Sequence, residues 1–275
     1  RGIAFTDAHA SSALSTPSRY SILTGRYNWR STKKGGVLGV MSPPMIATGR
    51  NTIADMFRAC DYTTAAIGKW HLGWDWTYKE GKAKTVDNID FTKRVANGPT
   101  DRGFDYFYGL TSPSGPPHLY MVNDMAEKQP NTRFEESGGG LYKIKGGIGH
   151  SDWSADGMQP HLADKMLDYL DENKDSDKPF FLYMALTAPH IPLFPSKEFK
   201  GKSKIGDYGD LVMMIDDIVG RVNRKLKEIG KYDNTIVMFA ADNGCAGYIN
   251  MDRINRKGHY PSYIYRGYKS HGWEG

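Results

Sequence analysis

Two apolar runs, Phe180–Leu186 and Thr235–Ala240, stand either side of one long amphipathic pattern, and this rhythm limits the fold more than any other feature. They read Phe-Phe-Leu-Tyr-Met-Ala-Leu and Thr-Ile-Val-Met-Phe-Ala. Neither run offers a polar face to water, so each reads as a strand covered on both sides. Between them Leu211, Val212, Ile215, Ile218, Val219, Val222, Leu226 and Ile229 recur at helical spacing and stop near Gly230. Upstream, Asn51–Cys60 suits a short helix with Asn51 as its cap, and Tyr62–Ile67 then reads as a strand. Leu162, Met166, Leu167 and Leu170 form a further helical stripe. Strands alternating with helices predict an α/β fold, a mostly parallel central sheet sandwiched by helices. Residues 74–160 are rich in Gly, Pro, Asn and aromatics and read as long loops.

A chain of 275 residues can bury one large core, or a core with a small appendage. The net charge of +5 mildly favours anionic partners. No Lys/Arg run suggests a nucleic-acid track, and no apolar run of about eighteen residues suggests a membrane span. Cys60 and Cys245 have no metal spacing and read as small buried residues. The chain opens at Arg1-Gly-Ile-Ala-Phe and stops at Trp273-Glu274-Gly275, so it reads as an internal piece of a longer protein.

In open α/β sheets, ligands sit at the carboxyl ends of the strands, and polar motifs cluster there in this sequence. Gly68-Lys69-Trp70-His71-Leu72-Gly73 follows the first strand. In extended chain Lys69 and His71 point the same way, joining a fixed positive charge to a proton carrier. Ala188-Pro189-His190-Ile191-Pro192 follows the next strand, and its prolines stiffen the chain around His190, which suits general acid work. Asp242-Asn243-Gly244 follows the last strand and offers hard oxygen ligands, or a plain turn. Near the start, Ser15-Thr-Pro17-Ser18-Arg19 places a hydroxyl just before a helix whose first turn contains proline. Arg19, one turn on, can reach back to that hydroxyl or to a bound anion.

Ser15-Thr-Pro-Ser-Arg19 with Leu23-Thr-Gly-Arg26 resembles the signature of formylglycine-dependent sulfatases, members of the alkaline phosphatase superfamily. Gly68–Gly73, Ala188–Pro192, Asp242–Gly244 and Tyr265–Lys269 before Trp273-Glu-Gly275 match further sulfatase blocks in the family's order. Serine stands where cysteine is commoner. The resemblance implies that a sulfatase-maturing enzyme oxidises Ser15 to formylglycine, whose hydrated aldehyde attacks sulfur. It implies that Arg19 and Lys69 brace the nucleophile and the sulfate. His71 then accepts a proton as sulfate leaves, and His190 with Lys269 serves the departing alcohol. Residue 15, Asp242 and Asn243 would hold one divalent cation, calcium or magnesium.

The substrate implied is a sulfated carbohydrate, bound by Lys69, His190 and Lys269. His118, Tyr120, Trp153 and His161 of the long loop are candidates for a sugar groove. Gly103–Gly109 reads as scaffold. By the same resemblance the chain is a partial N-terminal catalytic domain, with a loop-rich insertion at 74–160, from a periplasmic or secreted enzyme. One family feature is missing: no Asp-Asp pair precedes Ser15, and Asp216-Asp217 lies inside the long helix. Two rivals remain, a phosphoester or phosphonate hydrolase of the same superfamily and a catalytically silent binder of sulfated glycans.

Overall fold

A computed structural model describes residues 2–273. Helix α1, Ser15–Thr24, begins at Ser15 itself and ends on Gly25 in the left-handed region. Helix α2, Ile53–Ala59, is capped by Thr52 rather than by the expected Asn51. Thr52 and Asp55 form a reciprocal capping box, which satisfies two end donors where Asn51 alone would satisfy one.

Strand β1, Thr63–Lys69, is an interior strand of a five-stranded sheet, next to its edge. It pairs in parallel with β2, Tyr106–Leu110, on one side and with β7, Phe180–Ala185, on the other. The short strands β3, Met121–Val122, and β4, Met125–Ala126, extend the sheet antiparallel beyond β2. Strands β5, Thr132–Phe134, and β6, Gly147–Gly149, form a separate ribbon. The stretch at 74–160 therefore holds a central strand and two small ribbons where sequence suggested loops. Aromatics interleaved with glycine hid the strand pattern of Tyr106–Leu110.

Both faces of β1 are covered. Ala66 and Phe107 join Tyr20, Leu23 and Ala54 of α1 and α2 in one core layer. Ala65, Ile67, Tyr108 and Leu110 pack on the other face against α3, Met158–Glu172. Leu162, Met166 and Leu170 are buried as the stripe predicts. Helix α4, Asp207–Glu228, packs on α3, and α5, Met251–Arg256, closes the described elements.

Two further expectations fail. Thr235–Ala240 is not a strand among the described residues, and Ile236, Met238 and Phe239 are 86%, 80% and 71% exposed. Apolar character gives a segment strand potential, but a strand forms only where it enters a ladder, and this run joins none: β7 pairs with β1 alone and its other edge stays free. Cys60 is exposed and Cys245 half-buried, because Cys60 ends α2 at the surface.

Candidate active site

The start of α1 lies against the carboxyl end of β1. Leu14 caps the helix with no side-chain bond, so the first turn keeps an open, electropositive end, although Pro17 adds no N–H to it. Ser15 sits on it, 3% exposed. Its hydroxyl donates to Oδ2 of Asp242. Lys69 Nζ approaches Ser15 Oγ to 3.3 Å. One helical turn places Arg19 Nε 3.4 Å from the same oxygen and 3.0 Å from Asp242 Oδ2. The Arg19 guanidinium also donates to the carbonyl of Lys69 at 2.8 Å, locking α1 to the end of β1.

Lys69 is the last residue of β1, and two glycines set the turn that follows it. At Gly68, with φ +120°, a Cβ would lie 2.0 Å from the carbonyl oxygen of Ala185, so only glycine lets β7 come this close. At Gly73, with φ +75°, a Cβ would meet the carbonyl oxygen of Pro43 at 2.2 Å. Between them His71 adopts φ +57°, a conformation a non-glycine residue holds only when its surroundings impose it. The surroundings do so. His71 N–H donates to the Thr111 carbonyl at 2.9 Å, and its own carbonyl accepts from Thr16 Oγ1 at 3.1 Å. Lys69 and His71 thus serve one site through a tight turn, not through strand alternation.

The tautomer of His71 follows from its partners. Nε2 lies 3.0 Å from the Leu38 carbonyl, which can only accept, so Nε2 carries the proton. Nδ1 is buried and has no partner, leaving a free lone pair. Burial first, then the charges of Lys69 and Arg19, push the pKa of His71 down to about 2. Burial, then Lys69 and Lys269, lower His190 to about 4. Lys69 is held well below its usual range by burial and by Arg19, with Asp242 opposing. Burial also lowers Lys269, with Asp242 pulling against it. For Asp242 burial pushes upward, but Arg19, the Ser15 hydrogen bond and the two lysines outweigh it and keep the carboxylate ionised. The site is a crowd of cations around one carboxylate, short of negative charge.

Lys269 is held by two backbone bonds: its N–H donates to the Cys245 carbonyl, and Ser270 N–H donates to the Ala13 carbonyl. Trp273 of the terminal motif is described, whereas Glu274 and Gly275 lie outside the described residues. Asn243 donates through Nδ2 to the Gly244 carbonyl, which leaves Oδ1 buried without a partner. That orphaned oxygen, on the residue next to Asp242, has the chemistry of a hard-cation ligand. No group of three His, Cys, Asp or Glu side chains able to hold a metal occurs among the described residues.

Of the expected site residues, Ser15, Arg19, Lys69, His71, His190, Asp242, Asn243 and Lys269 come to one place. His118 does not face a groove. It is 2% exposed, lies between Phe134 and Trp153, and meets the Lys145 carbonyl at 2.7 Å. Trp153 and Tyr120 are buried with it, because aromatics in this stretch pack the outer face of β2. His161 stacks on Tyr120 and contacts the Tyr108 hydroxyl. Sequence reading missed Thr16, whose hydroxyl also accepts from Leu38 N–H and so ties the Leu38 carbonyl to His71. It also missed Tyr183, beside the Arg19 guanidinium. Position next to Ser15 was a signal for Thr16; nothing local marks Tyr183.

Fold and site together define an α/β protein that presents a hydroxyl and several cations to an anion. The chain belongs to the sulfatase family, whose model matches residues 1–272. It is 31% identical to the N-acetylgalactosamine-6-O-sulfatase of Bacteroides thetaiotaomicron, over all of this chain and 58% of that protein. It is 30% identical to the N-acetylgalactosamine-6-sulfatase of Sus scrofa, over 89% of this chain and 44% of that protein. The chain therefore spans about half the length of these relatives. A solved sulfatase structure from work on glycosaminoglycan metabolism by Bacteroides thetaiotaomicron superposes with a TM-score of 0.80 at 29% identity, over 99% of this chain and 62% of that one.

Proposed function

We propose that this chain carries the catalytic centre of a sulfatase that hydrolyses a sulfate ester on a sulfated carbohydrate. The observation that carries the reading is the Ser15 hydroxyl at the open end of α1, bonded to Asp242 and ringed by Lys69 and Arg19. The names of the two relatives point to a 6-sulfated N-acetylgalactosamine as substrate. A sulfated carbohydrate polymer would be met outside the cytoplasm, which supports the periplasm or the medium as the place of action. No helix among the described residues is long and apolar enough to cross a membrane.

Oxidised by a sulfatase-maturing enzyme, residue 15 would supply a hydrated aldehyde, with one hydroxyl to attack sulfur and another from which the aldehyde re-forms. Asp242 and the orphaned Oδ1 of Asn243 would hold a calcium or magnesium ion, whose charge would offset the sulfuryl oxygens. Lys69, Arg19 and Lys269 orient the anion and neutralise charge that grows on it. His71, with Nδ1 free, accepts a proton from the residue-15 hydroxyl. His190 Nδ1 lies 2.7 Å from the Ile191 carbonyl, so Nδ1 carries the hydrogen and Nε2 exchanges a proton with the leaving oxygen. His190 is neutral in the free protein and gains its proton when a bound anion offsets the lysines.

The test compares nitrophenol release from nitrophenyl sulfate and nitrophenyl phosphate by protein matured at residue 15. Faster release from the sulfate supports the reading. Faster release from the phosphate would make it a phosphoester hydrolase, and tight binding of a sulfated oligosaccharide without turnover would make it a binder.

A further inference from the structure

Gln159 is the second residue of α3, far in sequence from every motif that marks the site. Its side chain is buried, with 2% exposure. Its Oε1 accepts from Thr187 N–H at 3.0 Å, from Thr187 Oγ1 at 2.6 Å and from Ala188 N–H at 3.1 Å. Three donors saturate one amide oxygen. They come from the stretch just past the end of β7, where the ladder with β1 has stopped and the chain has no sheet bonds of its own. The Thr187 carbonyl then accepts the N–H of His190 at 3.1 Å. A single carboxamide thus fixes the peptide units from which His190 hangs. Gln159 is itself held between Met158 and Leu162, both in the core.

We propose that Gln159 is a positioning residue for His190, and that proton delivery to the leaving oxygen depends on it. The inference rests on the sulfatase reading and deepens it. A neutral side chain is required, because a charge here would be buried, and an acceptor is required, because three donors converge. Gln159 touches no reacting atom; its whole effect passes through the loop.

Leaving-group basicity separates this role from general support of the fold. Nitrophenolate departs with little help, whereas a sugar alkoxide needs a proton in the transition state. We expect Gln159→Met, similar in length but without an acceptor, to lower kcat on a sugar 6-sulfate by about tenfold to a hundredfold. Its kcat on nitrophenyl sulfate should fall by less than about threefold, with KM little changed. In a His190→Ala background Gln159→Met should add almost nothing.

Equal losses on both esters, or no loss on the sugar ester, would overturn the proposal. If Gln159→Met fails to fold, Gln159→Asn, which withdraws the oxygen by one methylene, gives the same comparison. If the parent protein hydrolyses neither ester, the sulfatase reading fails by itself. The positioning claim is then decided by the His190 imidazole resonance: Gln159→Met should move its titration, and an unmoved titration would refute it.

Discussion

Nε of Arg19 lies 3.0 Å from Oδ2 of Asp242, the same oxygen that receives the Ser15 hydroxyl. The contact joins the second turn of α1 to a loop more than two hundred residues away. It keeps Asp242 ionised although burial opposes this. Among the described residues, Asp242 is in turn the one carboxylate within a cluster of Arg19, Lys69 and Lys269.

Removing that carboxylate leaves partly buried cations without a counter-charge. Asp242→Asn keeps the shape and should cost about 3 kcal/mol of stability, measured by urea unfolding. Sulfate should then raise the melting temperature of the variant more than that of the parent, because the anion takes the place of the missing charge. Unchanged stability, or no added response to sulfate, would show that the cation cluster is not under strain.

Lys69→Ala and His190→Ala should each lower turnover of a sugar sulfate at least about a hundredfold, with far-UV circular dichroism unchanged. Near-parental rates would remove those residues from the mechanism.

His71 sets a pH signature on stability. Its pKa is about 2 in the folded protein against a usual 6.5, so the unfolded chain binds a proton that the folded chain refuses. The stability is fully present above pH 6.5 and is lost as pH falls from there toward 2. Relative to His71→Gln, the parent should lose about 1.4 kcal/mol per pH unit below the usual imidazole pKa. Parallel stability curves would mean that His71 is protonated in the folded state.

Anion binding should take up protons. His190 is held at about 4 by burial and then by Lys69 and Lys269. A bound sulfate offsets the lysines and raises that pKa, so sulfate should bind more tightly as pH falls from neutrality toward 4. Calorimetry in buffers of different ionisation enthalpy measures the uptake. Proton release on binding would contradict the electrostatic picture.

Much of the site was legible because its motifs are local. A four-residue step on a helix brings Arg19 back to Ser15, and residues that follow strands fall at one edge of the sheet. What was not legible depends on neighbours distant in sequence. The positive φ of His71 is imposed through Thr111 and Thr16, which no spacing within residues 68–73 reveals. Gln159 acts through an amide on another helix. His118 shares its aromatic surroundings with a sugar groove and with a packed core, and here it belongs to packing. The cap of α2 was readable: Thr52-Ile-Ala-Asp55 is a capping-box pattern that outranks Asn51. The Thr235–Ala240 run shows that apolarity records what would cover a segment, not whether a strand stands beside it.

The most direct measurement is intact-peptide mass spectrometry of the segment containing residue 15, from active protein made in a host with sulfatase-maturing machinery. The expected peptide is lighter than the serine form by two hydrogens, in proportion to sulfatase activity. Full sulfate-ester turnover by protein that carries unmodified Ser15 would contradict the mechanism.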